Sequence, residues 1–139
     1  MSERMTGALD PRRVRQPPGR AWCHAWTSTV DEAVRRWAAD LGADRGLAVV
    51  ALGSYARRQL CPKSDIDVLL LHDGWARPDL EGVVQRLCYP LWDAGLRVGH
   101  AVRTPRDTVR RAADRVDAAT ALVDRRLVAG DPGLADDLS

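Results

Sequence analysis

Scarcity narrows the possibilities before any motif is read. The 139 residues include only three cysteines and a single lysine. Cys23, Cys61 and Cys88 are odd in number, widely spaced and outside any C-x-x-C pair, so neither a disulfide framework nor a structural zinc site is indicated and reduced thiols are expected. No stretch approaches the roughly 18 uncharged apolar residues of a membrane span, and the first residues lack the apolar block of a secretory signal. A soluble cytoplasmic protein is expected. The net charge of +2 is too small to mark the whole chain as nucleic-acid-binding, although Arg12, Arg13, Arg15 and Arg20 gather near the start. The tryptophans show no paired pattern for base stacking and are expected in packing.

What is present suits one compact core, with 45% apolar and 29% charged residues in a chain of domain length. Residues 1–21 mix proline and glycine with arginine and predict a flexible basic arm, leaving 22–139 as the folded domain. Thr29-Val30-Asp31-Glu32 has capping-box spacing, and Val30, Ala33, Val34, Trp37, Ala38 and Leu41 recur as one helical face ending near Gly42. Asp31-Glu32 and Arg35-Arg36 read as its charged i,i+4 face. Leu47 to Leu52 is a continuous apolar run between Gly46 and Gly53, as in a strand covered on both sides. Ser54 is expected to cap a short helix, Tyr55 to Leu60, stopped by Pro62.

Asp65 to Leu71 predicts a second buried strand, followed by a turn at His72-Asp73-Gly74. Leu80 to Trp92 keeps helical spacing to Gly95, with Pro90 as a kink, and Leu96 to Arg103 is the next strand. Thr104-Pro105 is an N-cap followed by proline at the first helical position; a further helical stretch is expected over Asp117 to Arg126. Gly130-Asp131-Pro132 breaks it before a last helical start at Leu134. The chain is therefore α/β.

The order strand, Gly-Ser, short helix, then Asp-x-Asp at the head of a buried strand carries chemistry. Alternation places Asp65 and Asp67 on one face with Cα atoms about 6.5 Å apart, so both carboxylates can reach one site. Two such anions repel by roughly 3 kcal/mol at an effective dielectric near 20, which calls for a cation between them. Mg²⁺ fits, because it takes one or two carboxylates and completes its shell with water and phosphate oxygens. Gly53 lets backbone approach a ligand, and Ser54 at a helix start can add donors to terminal phosphates. Lys63 is placed to neutralise triphosphate charge; Arg57 and Arg58 are weaker candidates, and Tyr55 is a lesser candidate for approaching the nucleotide.

With Gly53, Ser54, Asp65 and Asp67 in this order, the chain resembles the nucleotidyltransferase superfamily. The segments "ALGSYARRQLCPKSDIDVLLLH", "YPLWDAGLRVGHAVRT" and "ATALVDRRLVAGDP" are similar to the nucleotidyltransferase domains of bacterial PII-protein uridylyltransferase/uridylyl-removing enzymes. The resemblance spans about residues 30–134. It implies a DNA polymerase beta-like core, a small mixed sheet with helices packed mainly on one side. It also implies transfer of UMP from UTP, with Mg²⁺, to a tyrosine of the PII signalling protein. On that basis Asp65 and Asp67 are the catalytic, metal-holding residues, and Gly53, Ser54 and Lys63 hold the nucleotide.

Two departures stand out. Many superfamily members carry a third acid on a later strand, whereas Leu96 to Arg103 has none and holds His100; Asp93 and Asp117 are distant candidates. The helical, phosphohydrolase and ACT segments of the similar enzymes are also absent from the chain, so UMP removal and glutamine sensing are not expected of it. Two alternatives follow: a catalytically inactive truncated remnant acting as an interaction module, or a stand-alone small nucleotidyltransferase with another acceptor.

Overall fold

The computed structural model describes residues 9–17, 19–40, 46–60, 64–73 and 80–138. Four strands, β1 (Leu47–Leu52), β2 (Ile66–His72), β3 (Val98–Arg103) and β4 (Arg125–Gly130), form one mixed sheet in the order β3-β2-β1-β4. β1 runs antiparallel to both β2 and β4, and β2 runs parallel to β3. The helices are α1 (Arg20–Asp40), α2 (Gly53–Ala56), α3 (Leu80–Asp93), α4 (Pro105–Asp114), α5 (Val116–Val123) and α6 (Pro132–Asp136). α3 makes the crossover that two parallel strands require.

Alternation along the strands divides the core in two. Leu47, Val49 and Ala51 of β1 and Ile66, Val68 and Leu70 of β2 pack against Trp26, Val30, Val34, Trp37 and Ala38 of α1 and Val83, Leu87 and Leu91 of α3. On the reverse face Ala48, Val50, Leu69 and Leu71 meet Leu134 of α6 and Leu138 just beyond it. Each large aliphatic side chain so buried contributes about 1.5–3 kcal/mol, which explains why β1 needs an unbroken apolar run. α1 and α3 cover the first face; on the second, α6 meets Ala48, Val50, Leu69 and Leu71, and Leu122 of α5 packs against the same cluster.

Several local expectations change. α1 begins at Arg20, not at a Thr29 cap; Thr29 Oγ1 donates to the Ala25 carbonyl at 3.0 Å and Thr27 Oγ1 to that of Cys23 at 2.7 Å, as mid-helix hydroxyls do. Residue 22 is thus no boundary, since α1 runs across it. Within the expected arm, Leu9 is fully buried in the core and Val14 packs against it; residues 1–8 lie outside the described residues, as do Gly42, Cys61, Gly74 and Trp75.

The helix expected through Arg126 ends at Val123, and Arg125–Gly130 is instead the edge strand β4. Its residues are competent helix formers, but pairing with β1 overrides that preference. A register shift opposite Val49/Val50 accompanies a buried Val128, whose carbonyl accepts from Arg35 Nε at 2.9 Å. Thr104 does cap α4, accepting from Asp107 N–H at 3.1 Å. Among the described residues no helix is long and apolar enough to cross a membrane.

Candidate active site

β1 ends at Leu52, and Gly53 turns the chain with φ +57, a left-handed conformation that glycine adopts without steric cost. The following helix is shorter than expected. α2 is a single turn whose N-cap, Leu52, makes no side-chain capping bond, so Ser54 sits inside the turn and does not cap it. The turn closes when Arg58 N–H donates to the Tyr55 carbonyl at 3.2 Å and Gln59 N–H to the Ser54 carbonyl at 2.9 Å, with Arg58 at φ 59. This is a Schellman-type ending with arginine where glycine is usual. Arg57, one residue earlier, reaches Asp124 with Nη1 2.7 Å from Oδ2.

A second arginine fixes α2 from below. Arg126 of β4 donates to both oxygens of Asp31 (2.8 and 3.2 Å), to the Tyr55 carbonyl (2.9 Å) and to the Ala56 carbonyl (3.2 Å). Its guanidinium also lies 5.3 Å from the centre of the Tyr55 ring. Asp31 is only 2% exposed, so it belongs to this bridge and not to a solvated helix face. Tyr55 is likewise fully buried, which removes it as a group that approaches a nucleotide. Burial, and then the nearby Asp31 charge, hold its phenol well above the ordinary range and therefore protonated.

Asp67 lies where β1, β2 and β3 converge. Register places it opposite Leu52 on one side and Gly99 on the other. A Cβ at Gly99 would fall 2.6 Å from Asp67 Oδ1, and one at Gly53 would fall 3.6 Å from Oδ2. The two glycines therefore form a cradle for the carboxylate, and Gly99 admits no side chain while Asp67 stays in place. Burial, and then the charge of Asp65, push the Asp67 carboxyl above the usual aspartate range. Asp65 is exposed just before β2; it shares the electrostatics of the site but does not line its cleft.

That cleft, ≈ 570 Å³ and open to solvent, is lined by Leu52, Gly53, Arg57, Asp67, Val68, Gly99, His100, Ala101 and Asp124. Ser54 is half-buried and not among them. Lys63 lies outside the described residues, as does the side chain of Asp117. Asp93 is exposed at the end of α3, away from the lining. His100 lines the cleft and is exposed; it is in register with Val68, and its ring meets Trp92 of α3 with centroids 5.7 Å apart.

Among the described residues no cluster of three or more side chains could hold a metal ion. The position on β3 beside Asp67 is Gly99, so any cation there would rely on Asp67, Asp65, water and ligand oxygens, a set that suits Mg²⁺. The desolvated, electrostatically crowded Asp67 carboxylate fits that role.

Two site residues escaped the sequence reading. Gly99 carried a usable signal, since a glycine inside a strand marks close approach of another group. Asp124 carried none, because it was placed within an expected helix.

Comparison with protein families matches residues 31–120 to the nucleotidyltransferase domain family. The chain belongs to that family. It is 41% identical over 128 residues, 91% of its length, to a bifunctional uridylyltransferase/uridylyl-removing enzyme of Mycobacterium tuberculosis, covering 15% of that protein. It is 42% identical over 93 residues to the enzyme of the same name from Streptomyces coelicolor, a match taking in 67% of this chain and 11% of the relative. A Xanthomonas euvesicatoria enzyme of that name is 42% identical over 103 residues, 73% of the chain and 12% of the relative. The chain thus spans a small fraction of the length of these relatives.

Proposed function

We propose that the chain is a Mg²⁺-dependent nucleotidyltransferase that moves UMP from UTP to a tyrosine of a PII-type signalling protein. The observation that carries the reading is the Asp67 carboxylate, cradled by Gly53 and Gly99 in the lining of an open cleft and within the electrostatic reach of Asp65. The uridylyl specificity is supported by the names of the relatives.

In this reading Asp65 and Asp67 hold the cation, and Gly53 and Ser54 present backbone donors to the β- and γ-phosphates, with Lys63 adding positive charge. Bound Mg²⁺ would supply charge stabilisation at the α-phosphate and orient the triphosphate. The Gly53 turn keeps side-chain bulk away from the phosphates, and the Arg126 bridge holds that turn still through the Tyr55 and Ala56 carbonyls. The acceptor hydroxyl oxygen forms a bond to the α-phosphorus and loses its proton. The bond from that phosphorus to the bridging oxygen breaks, and pyrophosphate leaves.

The test is to incubate the chain with MgUTP labelled at the α-phosphate and the PII-type protein of the same genome, then map the label by peptide mass. Label on a PII tyrosine, dependent on Mg²⁺, is expected. Label from ATP but not from UTP, or on another protein only, would overturn the assignment of donor or acceptor.

A further inference from the structure

The cleft contains an ion pair that the proposed reaction does not use. Asp124 stands between α5 and β4, next to Arg125, which is in register with Leu52; Asp124 therefore adjoins the Gly53 turn across the sheet. Its Oδ2 accepts from Arg57 Nη1 at 2.7 Å, and Arg57 Nε donates to Gln59 Oε1 at 3.2 Å. Both partners line the same cleft as Asp67, and Arg57 is the cationic side chain among its described lining residues.

Exposure sets this pair apart from the Arg126–Asp31 bridge beneath the same turn. The side chains of Arg57 and Asp124 are 45% and 42% exposed, against 14% and 2% for Arg126 and Asp31. A half-exposed pair is worth little and exchanges partners readily. A guanidinium, moreover, presents a planar fork that matches phosphate as well as carboxylate.

Resting on the nucleotide reading above, we propose that Asp124 is a displaceable counter-ion: it parks Arg57 in the cleft and surrenders it when the anionic tail of a nucleoside triphosphate arrives. Asp124 is thus a positioning residue that sets the affinity of the site for triphosphate. It supplies no ligand to the nucleotide. Its effect passes entirely through Arg57.

The signs of the expected effects are therefore opposite. Calorimetric titrations with MgUTP and with magnesium tripolyphosphate, a probe without base or sugar, should show tighter binding for Asp124→Asn, with Kd lower by about threefold for both probes. Asp124→Ser, should the first variant fold poorly, gives the same sign. Arg57→Gln should weaken both probes by about tenfold. In an Arg57→Gln background, Asp124→Asn should change Kd by less than about 1.5-fold, because the competition no longer exists.

Unchanged or weaker binding by Asp124→Asn would overturn the proposal while leaving the nucleotide reading intact. So would a gain that persists without Arg57, since Asp124 would then act by direct repulsion. Failure of the parent chain to bind MgUTP at all would overturn the nucleotide reading and this inference with it.

Discussion

The two faces of β2 use the same backbone for opposite ends. Ile66, Val68 and Leu70 enter the layer formed by α1 and α3, in one cluster with Trp26, Val30, Val83 and Leu87. Asp67, Leu69 and Leu71 face the other way; Leu69 and Leu71 are covered from α6 and its C-terminal flank, whereas Asp67 is left at an open cleft. The proposed reaction thus lies where the second layer stops. The thick face supplies the rigidity, and the uncovered corner of the thin face supplies solvent access and charge.

The sharpest way to break this comparison is to remove the charge from the open face. Asp67→Asn should reduce nucleotidyl transfer by at least about 100-fold, since a cation-supported transition state is worth several kcal/mol. Transfer at the parent rate would remove the site from this corner. The same substitution tests stability with a defined sign. Because the folded state raises the Asp67 pKa, the native chain holds its proton more tightly than the unfolded chain does. Asp67 ionisation therefore lowers stability as pH rises from the ordinary aspartate range through the raised folded value. Asp67→Asn should raise the Tm at pH 7 without ligand and lose that advantage near pH ~3, below the ordinary aspartate pKa. Equal gains at both pH values would mean that charge is not the cause.

Next in size is the thick side. Arg126→Ala would leave the buried Asp31 with Arg35, 4.0 Å away, as its remaining ion-pair partner among the described residues, and should cost about 3 kcal/mol in chemical denaturation. A loss under ~1 kcal/mol, the scale of exposed pairs, would show that the bridge is no more than a surface ion pair.

A smaller effect is expected at the cradle. Gly99→Ala forces the Asp67 carboxylate away from its 2.6 Å approach and should cut transfer by about tenfold through misplacement, with little change in Tm. Activity equal to the parent would show that Asp67 functions in another position. Smallest of all is His100→Ala, expected to alter transfer by less than about twofold, because its ring is in contact with Trp92 and it shares the side of the sheet taken by Val68, opposite Asp67. A hundredfold loss there would place His100 in the chemistry after all.

How much of this was legible in the sequence follows from how local each signal is. β1 announced itself through an uncharged apolar run between two glycines and β2 through an apolar run with charge only at its start, and strand alternation already placed Asp67 opposite the face of Ile66 and Val68. The Gly53 corner was legible because glycine and the neighbouring Asp-x-Asp are short-range features. β4 was not, since Arg125–Gly130 becomes a strand only by pairing with a strand some 75 residues earlier. Asp124 and the Asp31–Arg126 bridge share that cause: their partners are 67 and 95 residues away, and no spacing rule connects them. The start of α1 was misplaced because Thr27 and Thr29 satisfy their hydroxyls inside a helix as readily as at its end.

The most direct measurement is calorimetric titration of MgUTP into the parent chain and into Asp67→Asn, each repeated with the divalent cation chelated. Saturable heat from the parent alone, and only while Mg²⁺ is present, is the expected result. Equal affinities for the two proteins, or binding indifferent to chelation, would contradict a site built around the carboxylate between the two glycines.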